Sequence, residues 1–155
     1  MVKKILIAMD ESDYAKKAVK YVASAVRPTV HITLLSVMPT ISSKLERELH
    51  HPLFAEKVEG LKGITAEKKK LVEAMMEECR TILKDAGVHD KNIEVKIVNK
   101  KVGIARDIIA EAETGGYDTV VIGRRGLSAA AAFVLGSVSN KIVQNIKNCT
   151  VWVVE

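Results

Sequence analysis

Thr119-Val120-Val121-Ile122-Gly123-Arg124-Arg125-Gly126, followed after a loop by Gly136-Ser137-Val138-Ser139, decides how the rest of the chain is read. An unbroken apolar run is the pattern of a strand covered on both faces, as in a parallel sheet with helices above and below. The run ends in glycines, and the second cluster opens a helical repeat of Val138, Ile142, Val143 and Ile146. Strand, glycine turn and helix start together suit a bound phosphate. Glycine lets backbone approach an anion closely, and the N–H groups of a helix start, with the helix dipole behind them, attract negative charge.

Moving outward, Ile5-Leu6-Ile7-Ala8-Met9 is a second doubly covered strand. Asp10-Glu11-Ser12-Asp13 follows it, with Ser12 or Asp13 placed to cap a helix whose inner face is Ala15, Ala18, Val19, Val22, Ala23 and Val26, stopped by Pro28. His31 to Val37 reads as the next strand, and strand, helix, strand implies a parallel pair with a right-handed crossover. Between Met38 and Gly63, Pro39, Ser42, Ser43, Pro52, Gly60 and Gly63 break the periodicity over a span far longer than the roughly 2–6 residues of a usual connection. Residues 39–63 are therefore expected to be a variable insertion or lid, with a short helix at Lys44 to His50. A helix is expected to open at Thr65, capped by its hydroxyl, with Lys68-Lys69-Lys70 on a solvated face and Leu71, Met75, Cys79, Ile82, Leu83 and Ala86 facing inward before Gly87 ends it.

Ile93-Glu94-Val95-Lys96-Ile97 alternates, which marks a strand with one wet face or at a sheet edge. A helix from Gly103 to the Gly115-Gly116 stop and a last strand from Thr150 to Glu155 complete the alternation. Strands alternating with helices give a single doubly wound, Rossmann-like α/β domain over 1–155, with four main helices. Central first and fourth strands with an edge third strand fit the five-stranded order 3-2-1-4-5. Its switch point falls between the first and fourth strands, beyond whose carboxyl ends stand Asp10 and Gly123. The fifth strand is then also an edge, yet Val151-Trp152-Val153-Val154 is uniformly apolar. Because a bare apolar edge invites association, a homodimer through Thr150 to Glu155 is expected.

The 155 residues carry a formal net charge of +5, but aromatics make up only 4% and the lysines are scattered, which argues against nucleic acid and suits a nucleotide. No stretch approaches the roughly 20 apolar residues of a membrane span, and the short apolar run after Met1-Val2-Lys3-Lys4 ends at Asp10-Glu11, so a cytoplasmic protein without a cleaved leader is expected. Cys79 and Cys149 have no paired spacing and read as reduced thiols. His31, His50, His51 and His89 build no metal-binding spacing, so no zinc is expected.

With these residues in view, the chain resembles the ATP-binding branch of the universal stress protein family. That family's G-x2-G-x9-G-[S/T] pattern is met by Gly123, Gly126, Gly136 and Ser137, with Ser139 in the usual place. The likeness spans nearly the whole chain outside the Met38 to Gly63 segment. It implies an ATP cleft in which Gly123, Arg124 and Gly126 wrap the phosphates. Gly136, Ser137, Val138 and Ser139 would donate at the helix start, Val37 would meet adenine through its backbone, and Asp10 would face the ribose or a phosphate-bound Mg²⁺. The sequence departs from the pattern at Glu11, where glycine is common, in the alanine-rich loop Ser128 to Phe133, and at Thr150 in place of proline.

The expected function is that of an ATP-binding stress-response or signalling module, acting through conformational change and an unidentified downstream protein. Hydrolysis needs a positioned base and transition-state charge stabilisation. The chain offers no G-x-x-x-x-G-K-[ST], no G-x-S-x-G and no histidine at the expected cleft, so a dedicated enzyme is not indicated. The alternatives are a nucleotide-free dimerisation or regulatory module, and a slow ATPase or related ATP-using enzyme. A receiver domain is disfavoured because Asn99 and Lys100 stand where its phosphoryl-accepting aspartate belongs.

Overall fold

A computed structural model describes residues 3–40, 55–125 and 135–155, with side chains from residue 59 onward in the second of these segments. The expected helix at 44–50, Gly126, and most of the loop between Arg124 and Leu135 lie outside the described residues. The elements run β1 (Lys4–Ala8), α1 (Asp13–Ala25), β2 (His31–Met38), α2 (Ala55–Asp85), β3 (Ile93–Asn99), α3 (Ile104–Thr114), β4 (Thr119–Gly123), α4 (Ser137–Asn145) and β5 (Thr150–Val154). A 3₁₀ turn at Asp90–Asn92 leads into β3.

The strands form one five-stranded sheet of order β3-β2-β1-β4-β5, parallel throughout, as the sequence pattern anticipates. Alternation along the strands sorts the core into two layers. Ile5 and Ile7 of β1, Ile32 and Leu34 of β2 and Val121 of β4 pack with α1 and α2 on one face. Leu6, Leu35, Val37, Val120 and Ile122 pack with α3 and α4 on the other. β1, β2 and β4 are covered on both sides, which is why their apolar runs show no alternation. β3 alternates because it ends the sheet, with Glu94 and Val98 reaching solvent.

Ser12 caps α1, its Oγ accepting from Ala15 N–H at 3.3 Å. Gly87, at φ 95°, ends the long α2 in the left-handed conformation that glycine adopts without strain.

The start of α2 corrects the expectation at Thr65. The helix already runs from Ala55 and continues through Gly60 and Gly63, so the latter part of the expected 39–63 insertion is helical. Thr65 sits inside it and its hydroxyl donates to Leu61 O at 2.8 Å, the back-bond of a mid-helix threonine and not a cap. Glycine weakens a helix by only about 1 kcal/mol, and the packed turns that follow carry these two along.

The inner stripe is corrected as well. Val72, Met76, Cys79 and Leu83 are buried, while Leu71 is 67% exposed and Met75 and Ile82 pack only partly against the core. Leu71 and Met75 belong to a helical row beside the true one, which apolar spacing alone does not separate from it.

Candidate functional site

The strand order reverses between β1 and β4, so the connections leaving their carboxyl ends diverge to opposite faces and leave a crevice. A cavity of about 290 Å³ occupies that place. It is close to the roughly 300 Å³ at which small-molecule pockets begin. Its apolar wall includes Val37 and Met38 from the end of β2, Ile104 and Ile108 from α3 and Ile122 from β4. Its polar rim comes from Asp10 and Glu11 after β1, Arg125 after β4, Ser137 and Ser139 at the start of α4, and Lys68 on α2.

Asp10 opens the β1–α1 turn. Its Oδ1 accepts from Ser12 N–H at 3.0 Å and from the Ser12 hydroxyl, so the carboxylate is fixed by the residue that caps α1. Ser12 is thereby shared between the helix and the site-facing acid, and Asp10 both initiates the helix and lines the cavity.

Gly123 closes β4 under different constraints. A Cβ there would come within 2.7 Å of Tyr14 Cβ and 3.0 Å of the Tyr14 carbonyl carbon. Its glycine is thus required by the approach of α1 to the sheet, independently of any ligand. The carbonyl of Gly123 accepts from the buried hydroxyl of Ser139 at 2.9 Å, and Gly136 N–H donates to Arg124 O at 3.0 Å. These two bonds hold the start of α4 against the end of β4. The first intrahelical bond of α4 is that of Asn140 N–H to Gly136 O, so the N–H groups of Ser137, Val138 and Ser139 precede it and have no acceptor within the helix.

The structure brings Asp10, Val37, Gly123, Gly136, Ser137, Val138 and Ser139 together around this one cavity. Arg124 is placed elsewhere: its backbone N–H donates to Val154 O at 2.7 Å and its guanidinium pairs with Glu155 beside β5. Arg125 lines the cavity instead, and its Nε is buried without a hydrogen-bond partner among the described residues. Sequence reasoning placed Lys68 on a solvated face, which the structure corrects by putting it in the cavity wall, and assigned Ile104 and Ile108 to no site. The i, i+4 spacing of the two isoleucines on the inner face of α3 was the available signal. Among the described residues no group of three or more His, Cys, Asp or Glu is placed to hold a metal ion. Among the same residues no helix is long and apolar enough to cross a membrane.

The sequence profile of the universal stress protein family matches residues 1–155. A relative from Staphylococcus epidermidis named for that family is 32% identical over 157 aligned residues, covering 98% of this chain and 83% of its own. The solved structure of the protein MJ0577 is 27% identical, with a TM-score of 0.73 and coverage of 99% of this chain and 96% of that one. The universal stress protein from Archaeoglobus fulgidus in complex with dAMP shares the fold at 16% identity, with a TM-score of 0.60 and 100% coverage of both chains.

Proposed function

The chain belongs to the universal stress protein family, and on that premise we propose that its cavity binds ATP, with Mg²⁺ carried on the phosphates, and that binding serves a stress-response or signalling role through partner proteins. The observation that carries this reading is the cavity at the switch point, walled by apolar side chains and rimmed by the first N–H groups of α4, which have no acceptor within the helix, and by the buried Nε of Arg125, which has no partner among the described residues. An apolar wall suits a base, and helix-start donors with a guanidinium suit phosphate. The dAMP bound by the Archaeoglobus fulgidus protein of the same fold supports a nucleotide as the ligand class.

In this reading Val37 meets the base and Asp10 faces the ribose or the metal. Gly136, Ser137, Val138 and Ser139 present donors to the phosphates, together with Gly123, Gly126 and one of the neighbouring arginines. The placement of the side chains favours Arg125 over Arg124 for that last role. The nucleotide supplies a multivalent anion and, through its phosphates, oxygen ligands that two carboxylates at the β1–α1 turn alone do not. Partner contact extends to a second copy of the chain through Thr150 to Glu155, where β5 ends the sheet.

The test is mass spectrometry of the supernatant from freshly purified, denatured protein, followed by calorimetric titration with ATP and Mg²⁺. Copurified adenine nucleotide or saturable binding is expected. No nucleotide and no binding would leave the nucleotide-free dimerisation module as the better reading. Hydrogen exchange measured with and without ATP·Mg²⁺ tests the output, with changed exchange at 39–63 and 124–135 expected.

A further inference from the structure

The buried stripe of α2, Leu83, Cys79, Met76 and Val72, continues by one more helical turn to Lys68. At that turn the helix no longer packs its inner face on the sheet, and Lys68 becomes part of the cavity wall. Its Nζ lies 3.3 Å from Glu11 Oε1, with the two side chains 37% and 26% exposed. Glu11 also lines the cavity. The ion pair therefore stands at the rim of the site, between the β1–α1 turn and a helix that covers the opposite face of the sheet from α3 and α4.

Two cationic side chains thus meet one cavity. Among the described residues, Arg125 has a buried Nε with no partner and Lys68 pairs with the Glu11 carboxylate at 3.3 Å, longer than the about 2.7–2.9 Å of a close charged hydrogen bond. We propose that Lys68 is a phosphate-binding residue of this site and that Glu11 is its exchangeable partner, released when a phosphorylated nucleoside enters. The inference rests on the nucleotide reading above and goes further by naming a side chain of α2 that helps distinguish phosphorylated from unphosphorylated ligands.

The exchange is physically cheap. A half-exposed ion pair contributes little to stability, so giving up Glu11 loses little, while a phosphate offers more charge and more acceptor oxygens to the same ammonium. Glu11 has a second effect. Its negative charge at the rim opposes an incoming anion, so affinity rises less steeply with phosphate count than a purely cationic rim would give. The carboxylate that stands where the family commonly has glycine is thereby matched by a lysine from α2.

Calorimetry with adenosine, AMP and ATP on the wild type, Lys68→Gln, Lys68→Arg and Glu11→Gln tests this. Lys68→Gln is expected to weaken ATP about tenfold, the scale of one charged hydrogen bond, and to leave adenosine within about twofold. Lys68→Arg is expected to restore most of the loss, and Glu11→Gln to tighten ATP severalfold with adenosine unchanged. A tether that only positions α2 would instead lower the melting temperature and shift all three ligands alike, which would overturn the proposal. So would Lys68→Gln protein that discriminates ATP from adenosine as well as wild type does. In either case the nucleotide reading would survive. Wild-type protein that binds none of the three would remove both.

Discussion

Ser139 Oγ donates to the carbonyl oxygen of Gly123 across 2.9 Å, joining the first turn of α4 to the last residue of β4. Ser139 is buried, and the bond sets the direction from which the helix-start N–H groups meet the cavity. Ser139→Ala removes the donor and leaves the Gly123 carbonyl without that partner. The expected cost is about 1 kcal/mol, read as a lower urea midpoint at unchanged slope. In the nucleotide reading it also weakens ATP binding, because the donors of Ser137 and Val138 lose their fixed orientation. Unchanged stability would mean that the Gly123 carbonyl finds another donor once the hydroxyl is gone.

Gly123 itself is held to glycine by Tyr14. An alanine Cβ would stand 2.7 Å from Tyr14 Cβ and 3.0 Å from its backbone carbonyl carbon, and backbone in a packed helix does not yield as the tip of a side chain does. Gly123→Ala is therefore expected to destabilise by about 1–3 kcal/mol with no ligand present, the range for overpacking a close contact. Denaturant unfolding of the ligand-free protein measures this. A variant as stable as wild type would show that α1 can retreat from β4 freely.

The strand order and the place of the cavity were legible because β1 and β4 carry unmixed apolar runs while β3 alternates. What escaped lay in α2. Gly60 and Gly63 read as breakers, yet they sit on solvent-exposed turns of a continuous helix, where local preference is outvoted by the packing of later turns. Choosing the row of Leu71 and Met75 in place of Val72 and Met76 then hid Lys68, which lies four residues before Val72 on the true inner stripe. Arg124 and Arg125 were indistinguishable in sequence. The pairing of the Arg124 guanidinium with Glu155 places the first on the β5 side, while the second lines the cavity.

The extended α2 has a direct test. A Cβ added at Gly60 or Gly63 meets nothing within 4 Å, and both positions are helical. Gly60→Ala and Gly63→Ala are each expected to stabilise the protein by about 0.5–1 kcal/mol, the glycine-to-alanine difference in a helix interior. Thermal unfolding followed by circular dichroism measures it. No gain at either position would place the helix start nearer Thr65.

Cys79 is fully enclosed between α2 and the sheet, and burial pushes its thiol up to about 11. A raised value means that the folded chain keeps the proton after the unfolded chain, with an ordinary value of 9.0, has released it. The stability that this proton retention protects is intact below pH 9.0 and declines as pH rises toward about 11. Iodoacetamide at pH 8 is expected to leave Cys79 unmodified in the native protein and to label it once urea unfolds the chain. Rapid labelling of native Cys79 would mean that α2 opens from the sheet on the timescale of the reaction.

β5 ends the sheet, and its apolar residues are unequally covered. Trp152 and Val154 pack on the α1 layer, with Trp152 edge-on to Tyr21 at a ring separation of 6.0 Å, and Val151 packs on the other layer. Val153 remains 43% exposed on the terminal strand. An apolar strand with one row of backbone groups unpaired within its own sheet is a surface that a second copy of the same strand fits, each covering the other's Val153. We propose that Thr150 to Glu155 forms this contact in a homodimer. Val153→Glu would set two carboxylates against each other across the two-fold axis, where like charges repel and an apolar contact is lost. Monomer or precipitate is expected by light scattering at concentrations where wild type is dimeric. A Val153→Glu protein that remains a dimer of unchanged affinity would exclude β5 as the contact.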